Sequence, residues 1–299
     1  MEDRWKTLIF IVAGLWLLSL VISYAFSFMW GDVAAGNIAI IDLHGVISVD
    51  GGSLFDQGSV SSDDMIQLIE EADKNEDVKG IIIDINSPGG SAVASEEIAR
   101  AIKEANKTTV ALIREIGTSG ALWVASATDQ VVASPLSMTG SIGVISSYLE
   151  FSGLMQDYNV SYERLVAGQY KDMGSPYRQL TYEERKLFQD MLDETHRYFI
   201  EAVANNRNLD IEKLKENANG MIFSGTKAKE IGLVDTLGGK REAVKFLETK
   251  YNITAETVRY EKRKGFFEML SGVLSKSSFY VGKGISSSLE QDATPKILV

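Results

Sequence analysis

The chain has 299 residues, a formal net charge of −11, 45% apolar and 24% charged residues, a globular composition long enough for one large domain or two small ones. The acidic balance argues against a nucleic-acid partner, because phosphate binding rests on clustered Lys and Arg. The absence of cysteine excludes disulfides, thiolate nucleophiles and Cys-ligated metals, and the two histidines, His44 and His196, leave no His-rich metal site.

The first predicted element is a membrane anchor. Thr7 to Trp30 is a run of 24 residues without a charge, and ~20 apolar residues suffice for a spanning helix. The run is longer than the ~7–15-residue apolar region of a cleaved signal peptide. Arg4 and Lys6 before it and Asp32 after it favour a cytoplasmic N-terminus, with Trp5 and Trp30 at the two interfaces. Residues 1–30 therefore read as a cytoplasmic tip and uncleaved transmembrane anchor. A single-pass protein of the cell membrane follows, with everything after Trp30 outside the cytoplasm.

From Asn37 short apolar runs alternate with amphipathic segments. "NIAIIDLHGVI" predicts a strand, and "SSDDMIQLIEEADKNE" a helix with Met65, Leu68, Ile69 and Ala72 at helical spacing and Ser62 or Asp63 as N-cap. "VKGIIIDINSPGG" predicts a buried strand ending in a Pro-Gly-Gly turn, followed by a helix over 91–105. "TTVALIREI" is the next strand, a helix follows over 119–127, and "QVVAS" and "VSYERLVAG" supply further strands. This β-α-β-α-β order implies a mainly parallel sheet with helical crossovers, hence an α/β domain.

The second half is more helical. "TYEERKLFQDMLDETHRYFIEAVANNR" opens with a capping box from Thr181 to Glu184 and carries Leu187, Met191, Tyr198 and Ala202 along one face. A shorter helix near "DIEKLKENA" leads into "FSGTKAKEIGLVDTLGGKREAVKFL". After about Lys250 the periodicity fades and the tail reads as loosely ordered. No internal repeat is visible, so any catalytic unit occurs once.

Ligands of parallel α/β sheets bind outside the carboxyl ends of the strands. Two such ends stand out. At "NSPGGS" (86–91), Gly89 and Gly90 let backbone N–H groups approach a ligand; at "GTSG" (117–120), Ser119 sits between strand and helix. Each alone is an ordinary tight turn, but both follow consecutive strands and can face one crevice, as a nucleophile beside an oxyanion hole. A serine nucleophile needs a base. His196 lies within the long helix and His44 in the first strand, and both read as structural. A lysine can serve when burial lowers the ammonium pKa from ~10.4 toward neutrality. Lys171, in the glycine-bounded loop "VAGQYKDMGSP", is one candidate, although its residue pattern alone equally fits a solvated surface lysine.

The segments "GIIIDINSPGGS" (80–91), "GTSGALWVASATDQVVASPLSMTGSIGV" (117–144), "GQYKDMGSP" (168–176) and "FSGTKAKEIGLVDTLGG" (223–239) come in the order found in the signal peptide peptidase A/protease IV family. The chain resembles that family over roughly residues 37 to 245. The resemblance implies a Clp protease/crotonase-like α/β fold of repeated β-β-α units around a mainly parallel sheet. It divides the chain into the anchor, a peptidase domain over 31–249 and a C-terminal extension over 250–299. It also implies Ser119 as nucleophile, Lys171 as general base, Ser141 in "TGSIGV" as the hydrogen-bonding partner that positions the lysine, and Gly90 and Gly120 as oxyanion donors.

The resemblance further implies no cofactor, hydrophobic peptide substrates such as signal-peptide remnants, and a homo-oligomer in which neighbouring copies share active sites. Where the family continues the serine with two glycines and an aromatic residue, this chain has Gly120, Ala121, Leu122 and then Trp123, which bears on the substrate pocket. The expected activity is a membrane-anchored serine endopeptidase with a Ser-Lys dyad. The alternatives are a quality-control peptidase for membrane proteins, a crotonase-like acyl-CoA enzyme and a non-catalytic membrane scaffold. The apolar end "PKILV" raises the further expectation that the tail enters an active site and is trimmed.

Overall fold

The computed structural model describes residues 2–29, 36–51 and 58–262, so the C-terminal residues that carry the trimming expectation lie outside it. The first helix, α1 (Glu2–Met29), belongs to a different unit from the compact body Val33–Glu261. Among the described residues no helix is long and apolar enough to cross a membrane. The placement as a single-pass protein of the cell membrane, with a cytoplasmic N-terminus and an extracytoplasmic catalytic domain, is corrected accordingly.

The body is a mixed α/β fold on a mostly parallel sheet. Its centre is made by β1 (Ile38–His44), β4 (Gly80–Ser87) and β5 (Thr108–Thr118), flanked on one side by β10 (Thr257–Tyr260) and on the other by β6 (Gln130–Ala133) and β9 (Thr236–Leu237), in the order β10-β1-β4-β5-β6-β9. All of these neighbours pair in parallel. Beyond Ile113, β5 leaves β6 and pairs with β7 (Met138–Gly140), which in turn pairs antiparallel with β8 (Ile222–Ser224). A small second sheet joins β2 (Val46–Ser48) to β3 (Ser59–Ser61).

Strands covered on both faces read as unbroken apolar runs, and "GIIIDIN" in β4 is such a run. Ile81, Ile83 and Ile85 point into the larger core, with Ala39, Ile41 and Leu43 of β1 beside them. That face is covered by α2 (Ser62–Lys74), α3 (Ala92–Glu104), α4 (Gly120–Ser126) and part of α6 (Tyr182–Arg207). The alternate residues Ile38, Ile40, Ile82, Val110, Leu112 and Val132 pack on Ala243 and Leu247 of α9 (Lys240–Tyr251). The period of two along each strand thus divides the apolar residues between two cores.

Local signals place the helix ends. Ser61, not Ser62 or Asp63, caps α2: its side chain accepts the Asp64 N–H, so that Asp63 and Asp64 fall in the first turn, where the helix dipole favours them. Met65, Ile69 and Ala72 are the apolar residues α2 buries. The capping box of α6 forms between Thr181 and Glu184. The remaining helices are α5 (Ser152–Asp157), α7 (Ile211–Asn217) and α8 (Gly225–Glu230).

One predicted strand is absent. Residues 160–166 carry no regular structure and are exposed; among the described residues no strand pairs with them, and Arg164 within them is bound instead to Asp172.

Ile83 is fully buried in the central strand. Replacing Ile83 by Ala should lower stability by about 2–5 kcal/mol and Ile83 by Val by about 0.5–1.5 kcal/mol, read from urea unfolding midpoints. Equal losses for the two would contradict the packing described.

Candidate active site

Ser119 is placed by an irregularity in β5. The ladder with β4 runs in step to the pair Ile85 and Ile113, then resumes at Ser87 and Gly117, with two extra residues on β5. Asn86 stabilises this bulge by accepting the Ile116 N–H at 3.2 Å, and the strand is re-aimed toward β7. Ser119 follows at once. It has φ +55° and ψ −126°, its N–H donates to Gly140 O at 2.9 Å, and its carbonyl accepts the Trp123 N–H at 3.1 Å. A left-handed φ is uncommon for serine and persists only where the surroundings over-determine it. Ser119 is therefore the N-cap residue of α4 rather than a member of its first turn, and its side chain caps nothing. The seven residues of α4 are all buried, so the half-exposed Ser119 stands at the edge of a rigid element.

The glycine turn after β4 meets it backbone to backbone. Gly89 has φ +96°, its N–H donates to Ser87 Oγ at 3.1 Å, and Thr118 Oγ1 donates to Pro88 O at 3.1 Å. A Cβ at Gly89 would lie 2.7 Å from Gly120 N and 2.8 Å from Ser119 Cβ. One at Gly90 would lie 2.0 Å from Ile47 O, and one at Gly120 would lie 2.2 Å from Ser95 Oγ and 3.4 Å from Gly90 N. On the other side of the turn Ile47 N–H donates to Gly89 O at 2.9 Å and Ser91 N–H to Ile47 O at 2.8 Å. The N–H groups of Gly90 and Gly120 are thereby held near Ser119 and have no acceptor among the described residues.

Ser141 follows β7 directly. Gly140 and Ser141 have φ +86° and +54°, and Ser141 N–H donates to Met221 O at 2.7 Å. Because the Gly140 carbonyl takes the Ser119 N–H, Ser141 is one residue from a direct bond to Ser119. Lys171 is not drawn in. It is exposed, in a turn where its N–H donates to Gly168 O at 3.1 Å, and within one chain no hydrogen bond joins its side chain to Ser119 or Ser141. The fold thus brings Ser119, Gly120, Gly90 and the Ser141 segment together and leaves Lys171 apart.

The Lys171 turn is nonetheless rigidly held, in a way not legible from its sequence. Asp172 takes Arg164 Nε at 2.6 Å and NH2 at 2.7 Å, and Arg178 Nε at 2.8 Å and NH2 at 2.9 Å. Arg178 also donates to both oxygens of Glu184, at 2.6 and 2.8 Å, and Glu184 closes the capping box of α6. Bidentate pairing of this kind is strong and directional. The Arg178 and Arg164 guanidiniums hold the Asp172 carboxyl well below the usual carboxylate range. Arg178, with the Thr181 N–H, lowers Glu184 to about 2.

A second charged cluster lies beyond the apolar layer that faces α9. Asp42, His44 and Asp84 bring their ligand atoms within 4.8 Å of one another. The buried Asp84 is, however, paired with Arg114 at 3.0 Å and Arg259 at 3.8 Å, and Asp42 is paired with Arg259. Two guanidiniums already compensate the two carboxylates, and the donor set does not fit a divalent cation. His196, structural in the sequence reading, has its Nε2 3.2 Å from Ile142 O, and Ser95, which the sequence did not mark, packs on Gly120.

Comparison with known proteins covers the segment that holds this bend. A model of peptidase family S49 matches residues 101–254, a span holding Ser119, Ser141 and Lys171. The chain belongs to peptidase family S49. It is 32% identical over 233 residues to an Enterococcus faecium protein named as a signal peptide peptidase, SppA, covering 76% of this chain and 68% of that one. It is 32% identical over 221 residues to a chloroplastic serine protease, SPPA, of Arabidopsis thaliana, covering 73% and 33%. With Protease 4 of Haemophilus influenzae the identity is 28% over 224 residues, 74% of this chain and 36% of the relative. The S49 assignment, within the SppA/protease IV group, makes the protein a serine-type peptidase.

Two expectations follow from the geometry. Gly90→Ala should lower the unfolding midpoint, by about 1–3 kcal/mol or more in stability, because its Cβ meets the Ile47 carbonyl; Gly153→Ala, in α5 where nothing lies within 4 Å, should leave it unchanged or raise it slightly. Equal midpoints for both would refute the contact. For the clamp, both carboxylates have folded pKa values below the ordinary ~4, so its stabilisation is complete above about pH 5 and declines progressively as the pH falls below that. The thermal-midpoint difference between wild type and Arg178→Gln should accordingly shrink from pH 6 to pH 3, and a constant difference would count against the clamp.

Proposed function

We propose that this S49 peptidase is an endopeptidase in which Ser119 is the nucleophile, Lys171 the general base, Ser141 the group that orients the lysine, and Gly90 and Gly120 the oxyanion donors. The observation that carries the reading is the strained Ser119 at the β5–α4 junction, pressed against the Gly89–Gly90 turn with two unengaged N–H groups beside it. Lys171 in its neutral form takes the Ser119 Oγ proton as Oγ attacks the peptide carbonyl. The Gly90 and Gly120 N–H groups bind the oxyanion of the tetrahedral intermediate. The leaving amine recovers the proton from Lys171, and water, deprotonated by the same lysine, hydrolyses the acyl-enzyme.

In this reading the lysine comes from a neighbouring copy. Support comes from the arm that carries it: Ile145, Leu149, Tyr158 and Leu165 are 90%, 72%, 76% and 95% exposed, an apolar surface of the sort that marks an interface. The arm and its Asp172 clamp would present Lys171 to the next Ser119. Substrates are hydrophobic peptides, with signal-peptide remnants as the leading class because of the name borne by the Enterococcus relative. The Clp protease/crotonase-like relationship belongs to the same reading.

Ser119→Ala and Lys171→Ala should each reduce peptide cleavage by at least about 10³-fold. Co-expressed, the two inactive variants should regain up to about a quarter of wild-type activity if copies assemble at random and share sites. Full activity in Lys171→Ala overturns the dyad, and absence of recovery on co-expression overturns the shared site.

A further inference from the structure

Ser141 is the second serine of the site in a left-handed conformation, and an L-residue stays there only while its neighbours hold it. Its flanks are gripped at three points. Ser141 N–H donates to Met221 O at 2.7 Å, and Gly220 N–H donates to Ile142 O at 3.0 Å. The third tie comes from a side chain: His196 Nε2 lies 3.2 Å from the same Ile142 carbonyl. A carbonyl only accepts, so the Nε2 proton is on the ring and His196 donates. The bond is shielded, since the Ile142 side chain is fully buried and His196 half-buried.

His196 is well placed to set a distance. It lies on α6, three residues before Phe199, which stacks on Trp123 of α4 with ring centroids 4.8 Å apart and planes 13° apart. Tyr198 adds a second ring contact to Trp123 at 5.6 Å, and Asn206, further along α6, donates to Ser126 Oγ at 3.1 Å. One helix face therefore holds both the element that begins immediately after Ser119 and the backbone that immediately follows Ser141.

We propose that His196 is a positioning residue: its Nε2–H fixes the Ile142 carbonyl, and with it the left-handed Ser141, at the separation from Ser119 that proton transfer requires. This rests on the assignment of Ser119 and Ser141 above. His196 touches neither substrate nor the reacting atoms in this role; it acts through Ser141.

The test is steady-state cleavage of a hydrophobic peptide by the full-length chain. His196→Phe, which keeps an aromatic ring but has no donor, should lower kcat about tenfold with KM within about twofold, whereas His196→Gln, which keeps a donor, should stay within about threefold of wild type. In a Ser141→Ala background, His196→Phe should cost no more than about a further twofold, because the two act as a unit. Should the phenylalanine variant not fold, His196→Leu supplies the same missing donor. Equal loss in His196→Gln and His196→Phe, or a full multiplicative loss in the double variant, overturns the inference while leaving the catalytic assignment intact. Wild-type kcat in Ser141→Ala overturns the role given to Ser141, and the inference with it.

Discussion

A Cβ on Gly89 would stand 2.7 Å from the Gly120 nitrogen, and one on Gly90 would stand 2.0 Å from the Ile47 carbonyl. No side chain fits between the end of β4 and the end of β5, and that approach sets the shape of the site. It requires glycine at the turn, where φ +96° is also cheapest. It brings unengaged N–H groups to Ser119, and it depends on the bulge that carries β5 past its ladder with β4 toward β7. The strained serine is supported by the elements it joins: the Gly140 carbonyl holds its N–H, and the wholly buried α4 holds the residues that follow.

The long helix α6 ties the other parts to this centre. Its first turn closes a capping box through Glu184, which also anchors Arg178 and, through it, the Asp172 turn next to Lys171. Its middle reaches the Ile142 carbonyl through His196 and stacks Phe199 on Trp123. Trp123 is 4% exposed and its stacked partner Phe199 3%, so that ring pair is an interior one, and large rings packed in this way contribute much of the rigidity of a core. Ala121 and Leu122, where this chain departs from the expected pattern, fall on the same buried helix, whose packing backs Ser119.

Much of this was legible in the sequence, for physical reasons that can be named. Parallel strands covered on both faces show as runs such as "GIIIDIN", and amphipathic helices show as residues like Met65, Ile69 and Ala72. Ser119 was recognisable at a strand-to-helix bend, and the glycines at 89, 90 and 120 marked places where backbone must come close. Other features depend on contacts distant in the chain. The two-residue bulge is fixed by Asn86 across the sheet, the Asp172 clamp by arginines six and eight residues away in an irregular loop, and the role of His196 by a carbonyl 54 positions earlier. The strand expected near Val160 failed because apolar and β-branched residues do not make a strand without a neighbour to pair with. The membrane placement failed for a different reason: an uncharged run was counted as a span, whereas the described helices offer none long and apolar enough.

The central claim is that Ser119 is the nucleophile created by the close approach of the two strand ends. The most direct measurement is mass spectrometry of the full-length protein after reaction with a fluorophosphonate, followed by proteolytic mapping of the modified peptide. The account predicts one adduct, on Ser119, appearing in parallel with loss of peptidase activity. Inactivation with the adduct on any other serine, Ser141 included, would contradict it.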